Sequence, residues 1–250
     1  MKVTERFSDR VENYIKYRPH YPLEIIPFLA KEIGLTPSSI IADIGSGTGI
    51  SAEIFLKNGN TVYAIEPNKE MREGGEKILN DFPKFRSFNG TAEATTLPDG
   101  SIDSIIAGQA FHWFNVDKAK IEFKRILRPA GWVVLIWNER ATNTSQFLQA
   151  YEDFLNTFGT DYKEVNHVNI YRSIDNFFGQ NGYQLRSFPN RQIFEYDGLE
   201  GRLLSSSYTP SLDDPTYLPM LQELQKLFDK YQQDNSVIFE YTTKVYYGQL

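Results

Sequence analysis

Asp43-Ile44-Gly45-Ser46-Gly47-Thr48-Gly49 joins a buried-strand run, Ser39-Ile40-Ile41-Ala42-Asp43-Ile44, to a helical pattern over Ile50 to Asn58 that turns Ile54 and Phe55 inward. A strand, a tight glycine turn and a helix, in that order, open a βαβ unit. Glycines let the chain turn sharply and let a ligand approach the backbone. The first N–H groups of the helix stay unpaired and face whatever the turn holds. Two cofactor classes use such a turn. A dinucleotide fingerprint needs G-x-G-x-x-G, which from Gly45 and Gly47 puts its third glycine at position 50, where Ile50 stands. The third glycine comes one residue early, at Gly49, giving G-x-G-x-G with Asp43 two residues ahead.

The next strand, Thr61-Val62-Tyr63-Ala64-Ile65, ends at Glu66. A carboxylate there has lone pairs for both hydroxyls of a ribose; the alternative is an ordinary acid favoured by a helix N-terminus. Met71, one turn into the helix opened by Pro67, is placed either against an adenine face or in plain core packing. Gly74 and Gly75 weaken that helix by about 1 kcal/mol each relative to Ala. Further strands are read at Phe85 to Asn89 and Ile102 to Ala107. Val116, Ala119, Phe123, Ile126 and Leu127 keep helical spacing, and Trp132 to Trp137, apolar on both faces, is read as a central strand. This alternation marks an α/β protein with a parallel sheet.

Beyond residue 140 the pattern changes. Phe147, Leu148, Tyr151, Phe154, Leu155 and Phe158 form a helix stripe closed by Gly159, and Asp214-Pro215 opens another carrying Leu218, Leu221, Leu224, Phe228 and Tyr231. Tyr183 to Tyr196 reads as a strand or hairpin arm, and Val237 to Tyr247 as a closing strand. With no linker or repeat, the 250 residues are read as one domain. Its parts are N-terminal lid helices over 1–35, a cofactor-binding core over 36–140, a variable cover and substrate region over 141–236, and a closing strand over 237–250.

Composition narrows the partners. The net charge is −6 and no Lys/Arg-rich run occurs, so a polynucleotide substrate is disfavoured. The absence of cysteine excludes disulfides, thiolate metal sites and a cysteine nucleophile, and no metal is expected. Met1 to Arg10 has no apolar core of signal-peptide type and no apolar run is long enough to span a bilayer, so a soluble cytoplasmic protein without membrane association is expected.

Asp43 to Gly49, Ala64-Ile65-Glu66-Pro67-Asn68, Gly90-Thr91-Ala92-Glu93, Leu97 to Asp103, Ala107 to Trp113 and Leu127-Arg128-Pro129-Ala130-Gly131 together resemble the class I S-adenosylmethionine (SAM)-dependent methyltransferases, in that family's order and spacing. The nearest subgroup is that of the ubiquinone/menaquinone-biosynthesis and trans-aconitate methyltransferases. Tyr14, Tyr17-Arg18-Pro19, Tyr21-Pro22 and Phe111 to Phe114 point to its trans-aconitate-like side. The resemblance covers about the first 140 residues and the final strand. It implies a Rossmann-like three-layer sandwich with a seven-stranded, mostly parallel sheet, an antiparallel last strand and a helical lid. It also implies SAM as cofactor. Gly45, Ser46, Gly47, Thr48 and Gly49 would face the methionine part and Glu66 the ribose, with Arg18, Asp43, Pro67 and Met71 also counted among the cofactor-binding residues. Ala92 and Glu93 would flank the adenine, and Gln109 and Ala110 would sit beside the sulfonium. Pro129-Ala130-Gly131 replaces the usual Pro-Gly-Gly, a change expected to be harmless. The Asn/Asp-Pro-Pro-aromatic motif of amino-methylating nucleic-acid enzymes is absent.

The expected reaction is methyl transfer to O, N or C of a small molecule, a carboxylate being one option that needs no base. His112 is the candidate for a base, with substrate positioning and aromatic packing beside Trp113 as its alternatives. Arg18 is assigned to a carboxylate of cofactor or substrate, or else to a surface ion pair. Tyr14, Tyr17, His20 and Tyr21 are expected at the entrance, with His112 and Trp113 toward the substrate. A non-catalytic SAM-fold binding protein and a nucleotide-dependent oxidoreductase remain as alternatives, the latter opposed by Ile50.

Overall fold

The computed structural model describes residues 11–160, 162 and 170–250. His167 lies outside them. Strands β1 (Ile40–Ile44), β2 (Thr61–Ile65), β3 (Phe85–Phe88), β4 (Ile102–Gly108), β5 (Leu127–Arg140), β6 (Gln184–Phe194) and β7 (Val237–Gly248) form one sheet in the order β3-β2-β1-β4-β5-β7-β6. The first five strands are parallel, and β7 runs antiparallel between β5 and β6. This is the expected seven-stranded, Rossmann-like sandwich.

Because side chains alternate across a strand, the central strands feed two cores. On one face Ile41, Val62, Ile106, Val134 and Val245 pack under α2 (Ile25–Ile33) and α3 (Ile50–Lys57), through Ile25, Leu29, Ile54 and Phe55. On the other, Ala42, Ile44, Ile105, Ala107, Val133 and Leu135 meet Ala119, Phe123 and Ile126 of α5 (Val116–Ile126) and Ile174, Phe177 and Phe178 of α7 (Ile170–Phe178). A third core lies above the outer half of the sheet. There α6 (Gln146–Phe158), α8 (Tyr196–Leu204) and α9 (Tyr217–Tyr231) close over Phe194, Phe239 and Tyr241. Accordingly β7 alternates buried and exposed residues at its start and is buried on both faces at its end.

Several boundaries differ from the sequence reading. Helix α4 (Lys69–Leu79) begins at Lys69, not Pro67, because Asn68 caps it by accepting from the Met71 N–H at 2.8 Å. Helix α9 begins at Tyr217, two residues after the Asp214-Pro215 signal. Strand β5 runs far beyond Trp132–Trp137, since its end pairs with β7 as far as Arg140. Ala130 takes φ +63°, a left-handed conformation that costs a residue with a Cβ about 1–2 kcal/mol. Its replacement of glycine is therefore not neutral. Within the expected lid region 1–35, α2 instead packs on the sheet as a layer of the sandwich, whereas α1 (Val11–Tyr17) has no fully buried residue. No helix among the described residues is long and apolar enough to cross a membrane.

Candidate active site

The site opens where β1, β2, β4 and β5 end, the usual ligand crevice of such sheets. Gly45, Gly47 and Gly49 all have positive φ, of 67°, 56° and 87°. A Cβ on Gly45 would come within 2.6 Å of Ala110 Cβ, so only glycine lets this turn lie against the end of β4. The Gly45 N–H donates to the Ile65 carbonyl at 2.8 Å, tying the turn to β2.

Glu66 is the hinge of this arrangement. Its Oε2 accepts from the Gly47 N–H at 2.9 Å and its Oε1 from the Asn68 N–H at 2.8 Å. One carboxylate thus fastens the glycine turn to the start of α4, and each oxygen keeps a lone pair for a ligand. Burial raises its pKa above the ordinary value, against the hydrogen bonds from Asn68 and Gly47. Asp43 is fully buried behind the turn and accepts from Ser51 Oγ at 2.7 Å, so it holds the first turn of α3. Burial first, and the charge of Glu66 second among the raising causes, push its pKa up to about 7.

A cavity of about 650 Å³ extends from this turn. Of the expected cofactor residues, Arg18, Gly45, Gly47, Glu66, Pro67, Met71, Ala92, Glu93, Gln109 and Ala110 line it; Asp43, Ser46, Thr48 and Gly49 lie behind its wall. Tyr14, His112 and Trp113 also line it. Tyr17, His20 and Tyr21 do not. Tyr17 packs against Gly201 of α8, His20 is exposed with Nδ1 3.5 Å from Glu53, and Tyr21 is buried in the core beside Gly108. Helix α1 and the residue that follows it therefore turn Tyr14 and Arg18 toward the cavity, while Tyr17 packs on α8.

A methyltransferase-domain family model matches residues 42–135, the part that carries this turn, Glu66 and β4. The uncharacterized methyltransferase-like protein C25B8.10 of Schizosaccharomyces pombe is 33% identical over 135 residues, covering 54% of this chain and 52% of that protein. The uncharacterized methyltransferase Rv3342 of Mycobacterium tuberculosis is 34% identical over 134 residues, 54% and 52% of the two chains. The matched stretch thus spans about half the length of these relatives. A solved structure described as a type II methyltransferase of Anaeromyxobacter dehalogenans shares the fold over 93% of this chain and 98% of its own, with a TM-score of 0.71 and 19% identity. Residues 42–135 thus match a methyltransferase domain, and the chain has the fold of that solved methyltransferase.

Within the matched stretch the β4 end is strained. Gln109 has φ +54°, and its Nε2 donates to the Asn138 carbonyl at 3.1 Å. Its Oε1 is buried with no hydrogen-bond partner among the described residues. Strain and an unmet acceptor cluster where a ligand is to be met. His112 follows on a short 3-10 turn, exposed at the cavity, its ring 4.2 Å from that of Trp113 and 5.5 Å from that of Trp137. Glu93 accepts from the Asn115 N–H at 2.7 Å, fixing the loop after β3 to the start of α5. Glu122 supports the same loop by accepting from the Thr95 N–H and Oγ1 at 2.8 and 2.6 Å.

The sequence reading missed the far side of the cavity, made by Asn138, Arg140, Glu152, Tyr162, Arg202, Tyr208 and Tyr241. Arg140 had a legible signal, since residues at carboxyl ends of strands face the crevice; ending β5 at Trp137 hid it. Arg202 sits in a helix that the reading did not find.

Proposed function

We propose that this chain is a SAM-dependent methyltransferase acting on a small-molecule acceptor, held in the chamber next to the glycine turn. The observation that carries the reading is Glu66, whose carboxylate braces the turn and still faces the cavity. The residues present fit the cofactor. The turn exposes backbone at Gly45 and Gly47, Met71 and Ala92 offer apolar walls for an adenine, and Gln109 Oε1 is an unmet buried acceptor at the end of β4. When bound, SAM would supply an electrophilic methyl group.

The chain's part is then to align an acceptor and exclude water. Trp113, Tyr14, Tyr208 and Tyr241 give the chamber aromatic walls, and its volume lies within the roughly 300–1,000 Å³ typical of small-molecule sites. His112 is the group that could take a proton from a protonated acceptor. The narrower likeness to the ubiquinone/menaquinone and trans-aconitate subgroup is part of this proposal. The acceptor atom is left to experiment. Calorimetry with S-adenosylhomocysteine (SAH), then a screen for labelled methyl transfer from SAM, tests it. SAH binding that Gly47→Val abolishes without unfolding is expected. SAH binding without transfer to any acceptor would leave a SAM-fold binding protein, and binding of NAD in place of SAH would mark an oxidoreductase.

A further inference from the structure

The chamber beyond the glycine turn holds more cation than its own carboxylates match. Arg140, at the end of β5, donates through Nη2 to Glu152 and, at 2.9 Å, to Tyr162 Oη, while its buried Nη1 has no hydrogen-bond partner among the described residues. Arg18 donates through Nη2 to the Ser205 carbonyl at 2.7 Å, and its buried Nε has no partner either. Arg202 is only 7% exposed, yet among the described residues it donates only to hydroxyls, at 3.4 Å to Tyr241 and 3.1 Å to Ser206. The carboxylates nearby are spent: Glu152 on Arg140, and Glu139 on Lys244 at 2.7 Å. Glu66 and Glu93, elsewhere in the cavity wall, hold the glycine turn and the start of α5. Two guanidinium groups, Arg18 and Arg202, are thus left without a carboxylate among the described residues. Burial and, next, the charge of Arg202 lower the pKa of Arg18, whereas that of Arg202 is raised against its burial by the tyrosines around it, Tyr241 first.

Burying an unpaired charge is costly, and a well-formed site retains one where a ligand brings the counter-charge. If the chain uses SAM as proposed above, the amino-acid carboxylate of the cofactor answers one of these cations. One remains. We infer that Arg202, backed by the free Nη1 of Arg140, is a subsite for a carboxylate of the acceptor, so the acceptor is a small organic anion. The planar guanidinium favours a forked contact with two oxygens. The rings of Tyr162, Tyr208 and Tyr241 around it leave room for an apolar or unsaturated body beside the charge. Arg202 would hold and orient the acceptor through its charge and choose it over neutral isosteres.

The test uses the full chain saturated with SAH. Benzoate, phenylacetate, succinate and citrate are each titrated against their primary amides by calorimetry. At least one carboxylate is expected to bind about 30-fold or more tightly than its amide, the size of effect found when one partner of a buried charge pair is lost. Arg202→Met should erase that preference while SAH affinity stays within about twofold, and Arg202→Lys should recover part of it. Failure of every carboxylate to bind, equal binding of the amides, or an undiminished preference in Arg202→Met would overturn the inference. So would an SAH affinity that falls with Arg202→Met, because the arginine would then serve the cofactor. If the methionine variant does not fold, the wild-type comparison of acid with amide still decides. Wild-type protein that does not bind SAH would instead remove the proposed function on which this subsite rests.

Discussion

Replacing Glu66 by Gln tests the brace under the cofactor turn. In the free protein the two carboxylate oxygens accept from Gly47 and Asn68 at 2.9 and 2.8 Å. A glutamine keeps one acceptor and turns an NH2 toward the other N–H, leaving one backbone donor unmet at a cost of about 1–3 kcal/mol. Relief of the buried charge, which raises the Glu66 pKa, offsets part of this. A melting temperature lower by a few degrees is expected, at roughly 2–4 °C per kcal/mol for a chain of this size. The larger effect falls on the ligand. Hydrogen bonds to a charged acceptor contribute about 1.5–3 kcal/mol each, and the variant loses one ribose acceptor and the charge of the other. SAH affinity should therefore fall by about 2–3 kcal/mol, roughly 30- to 150-fold. The carboxylate accepts both ribose hydroxyls only when ionised. Wild-type affinity should thus weaken on acidification, starting above the ordinary glutamate pKa because Glu66 is shifted upward, whereas Glu66→Gln should show no such dependence. Titration calorimetry across pH reads both effects. An unchanged dissociation constant, or the same pH dependence in both proteins, would refute the reasoning.

Three further outcomes follow from particular residues. Asp43 has its pKa raised to about 7 by burial, so the folded protein resists its ionisation. The unfolded chain loses that proton near 3.8, so stability is lost as pH rises from about 4 to 7, by at most about 1.4 kcal/mol per pH unit from this group. Asp43→Asn should gain on the wild type over that window in urea unfolding of the ligand-free protein; parallel profiles would contradict the shift. Ala130→Gly relieves a left-handed alanine worth about 1–2 kcal/mol and adds about 0.4–1 kcal/mol of unfolded-state freedom. A net gain between zero and about 1.6 kcal/mol is expected in denaturant midpoints, and a loss would mean that the Ala130 methyl group contributes packing. His112→Ala should leave SAH affinity within about twofold and, if His112 is the base, lower the transfer rate on the order of 100-fold. Unchanged turnover would remove it from the site.

What could be read from the sequence depended on how local its cause was. β1 to β4, the glycine turn, Glu66 and α3 to α5 were legible because strand alternation, helical spacing and turn chemistry there all agree. Helix α7 was also written in the pattern, Ile170, Ile174, Phe177 and Phe178 lying at helical spacing, but its short stripe sits amid polar residues. Helix α8 was hidden for a different reason. Gly198 and Gly201 depress its helix propensity, and a Cβ at Gly201 would collide with the Tyr17 ring. That contact joins segments far apart in the chain, so no local signal announces it. The same packing explains why Tyr17 is absent from the cavity. Arg202, on the same helix, shares a cavity wall with Arg18 and Arg140 only because the cover closes over β7, a tertiary event that spacing cannot foretell.

The most direct measurement is a crystal structure of the full chain with SAH. The ribose hydroxyls are expected on the Glu66 carboxylate, the adenine between Met71 and Ala92, and the sulfur near Gln109 and Ala110. SAH seated elsewhere, or a glycine turn closed by its own side chains in crystals grown with saturating SAH, would contradict it.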